Sequence, residues 1–432
     1  MAPFFRHCIF NNHKPRRRHS NTKFRRKHPR PKAPMDLEES IKNQTHVATT
    51  LATHLLSNIF PNSNVVFSPL SIHLVLSLLA AGCKGPTLDQ LLGFLKANNV
   101  GDLNSLYSQF LSLIFADGSP NGGPLLAAAN GVWVQKTLSL KPSFKQVVDT
   151  VYKAACNQVD FKNKAVEVAK EVNLWAEKQT NGLIKEVLPT KSVNYLTRFI
   201  FGNALYFKGV WRKMFNSSFT REHDFHLLDG NKVRVPFMTG GEYHFMCAYD
   251  DFKVLGLPYL QGQDKRQFTM YFFLPHAKNG LQSLVEKIGS TPDFLEGHIP
   301  RQLVKVDQLL IPKFKILFEI EASGMLKELG LKLPFDDDVD DFTEMFDLHE
   351  GEPLNVSAIH HKSFVEVNEE GTEATMATIL NMSVYGAMTY VKREYVKFVA
   401  DHPFLFVIRE DVTGVVLFMG QVIDPSVVES NT

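Results

Sequence analysis

The chain is poor in cysteine. Four residues in 432, Cys8, Cys83, Cys156 and Cys247, stand far apart, with no CxxC pair and no histidines at zinc-finger spacing. That pattern excludes a disulfide-stapled small fold and a zinc ribbon, and it suits buried free thiols in a reducing compartment. Long apolar runs are missing too. The longest candidates, such as Gly414 to Ile423, have strand length, against the roughly 18 residues that a membrane helix needs. No apolar core of a secretory signal opens the chain, and the sequons at Asn43, Asn216, Asn355 and Asn381 would be used only in the secretory route, so a cytoplasmic location is expected over an extracellular one. No metal, nucleotide or flavin motif is present, so no cofactor is expected.

Acidic residues are absent from residues 1–34, which hold 11 Lys/Arg. The remainder carries 36 basic against 45 acidic residues, so the overall charge of +2 conceals a split. Residues 1–34 are read as a basic, disordered extension, and 35–432 as one domain, because no Ser/Gly/Pro-rich linker interrupts the body. The runs Arg16-Arg17-Arg18 and Lys23-Phe24-Arg25-Arg26-Lys27 suit a nuclear import signal, a transit peptide poor in serine, or a nucleic-acid contact confined to the tail. A bland alternative is that the body starts at Met35 and the tail has no specific role. With 44% apolar and 21% charged residues the body can bury one large core.

Apolar residues recur at helical spacing from Ser40 to Ile59 and from Ile72 to Ala81, and Thr87 is placed to cap a third helix running to Leu95. Strand-like runs follow at Ala127–Val134, Thr197–Phe207, Val233–Met246, Phe268–Leu274, Val304–Ile320, Ser363–Val367 and Gly414–Val422. Helices first and strands later argue for an α+β fold rather than alternating βαβ units.

Two stretches near the C-terminus are the most informative. Glu369-Glu370-Gly371-Thr372-Glu373-Ala374 resembles the hinge of a serpin reactive loop, and Phe398 to Ile408, with Ala400-Asp401-His402-Pro403-Phe404, resembles the C-terminal serpin signature. Asn64 to Ser71, Trp175 to Ile184 with Thr180-Asn181-Gly182, and Asn203 to Trp211 resemble further serpin segments in the expected order, and Asn130-Gly131-Val132-Trp133 looks like the plant branch. The resemblance runs from about Met35 to Pro425. It implies three β-sheets, eight or nine helices and an exposed reactive loop at about 369–397, in a metastable monomer that inhibits proteases as a suicide substrate. The implied partner is a target protease held as a covalent acyl complex; no membrane partner is implied. In such inhibitors the cleaved loop inserts into the main sheet as an added strand.

By the same resemblance Ser68, Ser71, Asn203 and His361 form a polar cluster behind the strands that must part. Trp211, Lys313 and Glu369 mark the place where the loop first enters. A hydrolase built on Ser71 and His361 is the rival reading, but Ser71 lies in Pro-Leu-Ser-Ile rather than a Gly-x-Ser-x-Gly elbow. The acidic run Asp336 to Asp341 lacks the glycine and terminal glutamate of a calcium loop, so no metal is expected.

Counting Gly371 as the fifteenth residue before the reactive bond, as in inhibitory serpins, places that bond at Tyr385–Gly386. Thr372 to Tyr385, at about 3.3 Å per strand residue, would span on the order of 45 Å. Alternation puts Thr372, Ala374, Met376 and Thr378 on the inward face. Met376 departs from the small residues usual there and would slow insertion without blocking it. Tyr385 suits a chymotrypsin-like pocket, and Val384 before it suits a papain-like protease. The alternative is a non-inhibitory serpin acting as a substrate-like or binding protein, favoured by Met376 and by the long segment after Tyr385.

Overall fold

The computed structural model describes residues 35–115, 122–180, 182, 184–189, 191–336, 341–347, 354–372 and 395–428. The basic extension, residues 1–34, lies outside them, as do Cys8 and most of the acidic run. The described residues all belong to one compact unit.

Nine α-helices occur among the described residues: α1 Leu37–His54, α2 Pro69–Ala81, α3 Gly85–Leu95, α4 Val100–Leu113, α5 Pro142–Val147, α6 Phe161–Gln179, α7 Leu281–Ser290, α8 Phe294–His298 and α9 Ser323–Glu328. The strands are β1 Val65–Phe67, β2 Leu125–Gln135, β3 Ala155–Val159, β4 Phe199–Val210, β5 Arg221–His226, β6 Lys232–Ala248, β7 Phe252–Pro258 and β8 Phe268–Pro275, then β9 Leu303–Pro312, β10 Phe314–Glu321, β11 Ala358–Val367, β12 Gly371–Thr372, β13 Lys397–Val399, β14 Phe404–Glu410 and β15 Val416–Val422.

Local chemistry accounts for the early helices. Asp36 caps α1 by accepting from the Glu39 amide at 2.8 Å, an Asp-x-x-Glu start that lies a turn before the Ser40 expected from periodicity. Ser68 caps α2 through the Ser71 amide, and Pro69 takes the first helical position, where its missing N–H costs nothing. Every residue of α2 from Pro69 to Ala80 is buried, as suits a helix that is apolar nearly all round. The cap of α3 corrects the expectation for Thr87. Lys84 is the flanking residue and the Thr87 amide donates instead to Asp341 Oδ2 at 2.9 Å, a carboxylate that lies 254 residues further along the chain.

The strands form two hydrogen-bonded sheets among the described residues. The larger runs β1-β15-β14-β8-β7-β6-β9-β13 with β5 beside β6; the smaller runs β10-β11-β12-β4-β2-β3. The resemblance to serpins implies three sheets. The long strand β6 joins two of them, because it pairs with β5 and β9 along much of its length, shifts register between Gly240 and Glu242, and pairs with β7 from Phe245 to Ala248. The run Val304–Ile320, read as one strand, divides at Lys313 into β9 and β10, which belong to different sheets.

Helix α6 lies over the smaller sheet through Trp133 of β2, whose ring meets Trp175 edge-on at 4.8 Å. Trp133, Leu188 and Ile200 are buried together, so the segment after α6 is fastened to β2 and β4. Gly131 makes room for this: a Cβ there would sit 2.4 Å from a ring carbon of Trp133. Gly131→Ala is therefore expected to destabilise the protein by about 1–3 kcal/mol through overpacking. Urea unfolding followed by tryptophan fluorescence checks this, and an unchanged midpoint would mean that α6 is not seated on Trp133 as described.

Candidate functional site

Strands β11 and β4 are parallel and pair directly over six register positions, Ala358 with Ile200 through Ser363 with Leu205. Beyond Ser363 they diverge, and the two-residue strand β12 fills the gap. Thr372 pairs with Val367 on β11, while Gly371 and Thr372 pair with Val210 and Gly209 on β4, both antiparallel. The hinge thus starts inside the sheet. Only glycine fits at 371, because a Cβ would lie 2.0 Å from the Gly209 carbonyl oxygen. The turn leading to it is closed by Asn368, whose Oδ1 accepts from the Glu370 and Gly371 amides at 3.0 and 3.2 Å, and whose amide donates to the Gly371 carbonyl.

Around this turn the predicted residues Trp211, Lys313 and Glu369 come together. Trp211 is buried; its indole N–H donates to the Asn368 carbonyl at 2.9 Å and its amide to the Glu370 carbonyl at 2.8 Å. Lys313 Nζ lies 2.8 Å from Glu369 Oε2, and the Thr220 hydroxyl donates to Glu369 Oε1 at 2.7 Å. The Glu369 side chain is only 12% exposed, so this is no fully solvated surface pair. Burial alone would raise the Glu369 pKa, but hydrogen bonds from Lys313 and Thr220 outweigh it and hold the carboxyl below its ordinary range. Thr372 is buried, its hydroxyl 2.6 Å from that of Tyr259, whose ring stacks on Trp211 at 4.6 Å.

Beneath the seam lies the polar cluster. His361 and Asn203 are register partners on β11 and β4, and Asn203 is in turn opposite Asn130 on β2, so the three form one row across the sheet. Asn203 Nδ2 donates to Asn130 Oδ1 at 2.5 Å. His361 Nε2 accepts from the Ser68 amide at 3.0 Å and lies 2.7 Å from the Ser363 hydroxyl. Because an amide only donates, Nε2 is bare and the ring proton sits on Nδ1. That Nδ1 and Asn203 Oδ1 are both buried with no partner among the described residues, one a donor and the other an acceptor. The row is thus under-satisfied where the strands meet, which makes it costly to keep and ready to rearrange.

The Ser363–His361 contact has the length of a nucleophile and base, yet it is no catalytic pair. Both residues are buried, and among the described residues no carboxylate orients Nδ1. Sequence reasoning missed Ser363, Asn130, Asn368, Tyr259 and Thr220. Ser363 was findable, since it stands two residues from His361 on the same strand face, and Asn368 opens a four-residue turn; Tyr259 and Thr220 reach the hinge from distant segments. Glu370 contributes backbone contacts. Glu373, Ala374, Met376, Tyr385 and Gly386 lie outside the described residues.

A family profile described as Serpin (serine protease inhibitor) matches residues 42–425. The chain is 56% identical to Serpin-ZX of Arabidopsis thaliana over 90% of its own length and 100% of that protein. It is 52% identical to Serpin-ZXA of Oryza sativa subsp. japonica, covering 90% of this chain and 98% of the relative. Among solved structures, Arabidopsis AtSerpin1 in its native stressed conformation superposes with a TM-score of 0.84 at 55% identity, covering 91% of this chain and 100% of that one.

Burial pushes the His361 pKa down from 6.5 to about 3. The unfolded chain therefore takes up a proton near pH 6.5 that the folded chain refuses. Stability from the neutral ring is fully present above pH 6.5 and is lost as the pH falls toward 3. His361→Gln is expected to flatten the fall in unfolding free energy between pH 6.5 and 5 by about 1.4 kcal/mol per pH unit. Urea titrations at pH 7.5, 6 and 5 measure the slope; an unchanged slope would show that His361 ionises in the folded protein.

Proposed function

The chain belongs to the serpin family, in company with plant serpins, and from that premise we propose that it inhibits serine or cysteine proteases as a suicide substrate by inserting its reactive loop between β11 and β4. The observation that carries this reading is the seating of Gly371 and Thr372 as a short strand above the six-residue seam. A strand continuing downward from Thr372 would run antiparallel to both neighbours, because β11 and β4 are parallel to each other. The protease attacks the bond after Tyr385 and forms an acyl-enzyme through that residue. Insertion then drags the attached protease along the sheet before water can release it, so the outcome is a race of rates.

Tyr385 favours chymotrypsin-like targets, with papain-like proteases second. Mixing the full chain with chymotrypsin is expected to give an SDS-resistant complex and a released C-terminal peptide whose mass begins at Gly386. A peptide beginning at Thr389, Val391 or Glu394 would overturn the assigned bond.

Thr372 supplies the stricter test, because its side chain is already in the core side of the sheet. Thr372→Arg would bury a charge without a partner, so cleavage is expected to continue while the covalent complex disappears. The non-inhibitory reading draws support from Met376, a larger side chain on the face that must be buried. It would be favoured if wild-type protein were cleaved at Tyr385 without forming any complex, and insertion would be refuted if the arginine variant trapped protease as well as wild type.

A further inference from the structure

His360 and His361 are neighbours on β11 whose side chains leave opposite faces of the strand. His361 turns to Ser68, whereas His360 lines a cleft of about 490 Å3 together with Glu319, Glu321, Glu328, Pro189 and Phe60. The cleft spans the line along which the sheet must part. On one bank stand His360, Glu319 and Glu321, carried by β11 and β10. On the other stands Pro189, whose neighbour Leu188 is buried with Ile200 of β4 and Trp133 of β2.

The chemistry of the walls is one-sided. Three carboxylates line the cleft; Lys362 pairs with Glu319 at 2.8 Å and His54 meets Glu328 at 2.8 Å, while Glu321 Oε1 accepts the Ser323 and Ile359 amides. His360 is 4% exposed, and its Nε2 has no hydrogen-bond partner among the described residues. Burial lowers its pKa, with Glu321 and Glu319 opposing the shift, so the ring offers a neutral nitrogen. Among the described residues no three metal-ligating side chains converge on one point. Carboxylates spread around a cleft of this volume, beside a neutral ring nitrogen, match a flexible chain of several ammonium groups, each with three N–H donors and no acceptor.

We propose that this cleft binds a short aliphatic polyamine through Glu321, Glu328 and His360, and that the bound polyamine holds the sheet closed. The second half rests on the insertion mechanism proposed above. Glu321, Glu328 and His360 stand on the β10–β11 side, α9 following β10 directly, and Pro189 stands on the other. The latch therefore requires the methylene chain of the polyamine to pack on Pro189 while its ammonium groups hold the carboxylates. A ligand seated in that way binds the closed form better than the opened one and slows opening by its differential affinity.

Titration calorimetry of the full chain with spermidine, at constant ionic strength, tests binding without any protease. Saturable binding is expected, weakened at least tenfold in Glu321→Gln/Glu328→Gln, a neutral swap that keeps the Oε1 acceptor at 321. No saturable heat, or equal affinity in the double variant, would overturn the site. His360→Phe removes a buried orphan nitrogen, so it is expected to weaken spermidine binding while leaving the melting temperature of the free protein unchanged or higher. A lower melting temperature with unchanged binding would make His360 purely structural and overturn its role. With chymotrypsin, spermidine is expected to shift product from covalent complex toward cleaved protein. Binding without that shift, in protein that traps protease normally, would overturn the latch alone; protein that never traps protease would refute the insertion mechanism while leaving the calorimetric result standing.

Discussion

Strands β11 and β4 hydrogen-bond to each other directly over only six residues, and they do so in parallel. Everything else about the site follows from that pairing. A parallel ladder is slightly weaker per residue than an antiparallel one. A strand descending between the two, in the direction already taken by Gly371 and Thr372, is antiparallel to both, so it would replace one parallel ladder with two antiparallel ones. On the proposed insertion mechanism, that exchange is what would make the inserted sheet the lower-energy of the two arrangements. What separates the two is the cost of parting the seam, which is why the side chains at the seam matter more than those at its ends.

Those side chains are polar where a core would ordinarily be apolar. His361, Asn203, Asn130, Ser68 and Ser363 are buried together, and two of their polar atoms go unpaired. Leaving a buried donor or acceptor unmet costs about 1–3 kcal/mol, so this row weakens the closed state at the place where it must open. An apolar row of the same size would pack well and hold β11 against β4. The capping of α2 by Ser68, whose amide also reaches His361, links the seam to the most deeply buried helix. On the proposed mechanism the row would separate against a fixed platform.

How much of this was legible in the sequence depended on how far apart the partners lie. The Ser68-Pro69 start of α2 is a local feature and was legible; of β11 only Ser363–Val367 was, and its first half, Ala358–Lys362, which carries His361 and pairs with β4, was not. The cap of α3 was not either, because Asp341 reaches Thr87 from across the chain. Strand β5 was invisible to a search for apolar alternation, since Arg221, Glu222, His223 and Asp224 are all exposed on an edge strand and only Phe225 is buried. The same rule divides the site. His361, Asn203, Trp211 and Lys313 were named from the family resemblance, but Tyr259 and Thr220, which hold Thr372 and Glu369, carry no local signal of that task. Their roles exist only once β4, β7 and the hinge turn are brought together.

The hinge itself is held and poised by different groups. Closing a turn normally costs chain entropy before any pairing repays it, yet here Asn368 has already closed it and β12 has already begun pairing with both neighbours. The first two residues of any inserted strand are thus already paired in the resting protein. Under the proposed insertion, growth from Thr372 would need only the stepwise exchange of each β11–β4 pair for two new ones, beginning beside Ser363 and Leu205 and ending at Ala358 and Ile200. Tyr259 and the Lys313–Glu369 pair act at the top of that path, fixing where insertion starts, whereas His361 and Asn203 lie along it. Substitutions at the first group should therefore alter how securely the resting hinge is held, and substitutions at the second should alter how fast the strand advances.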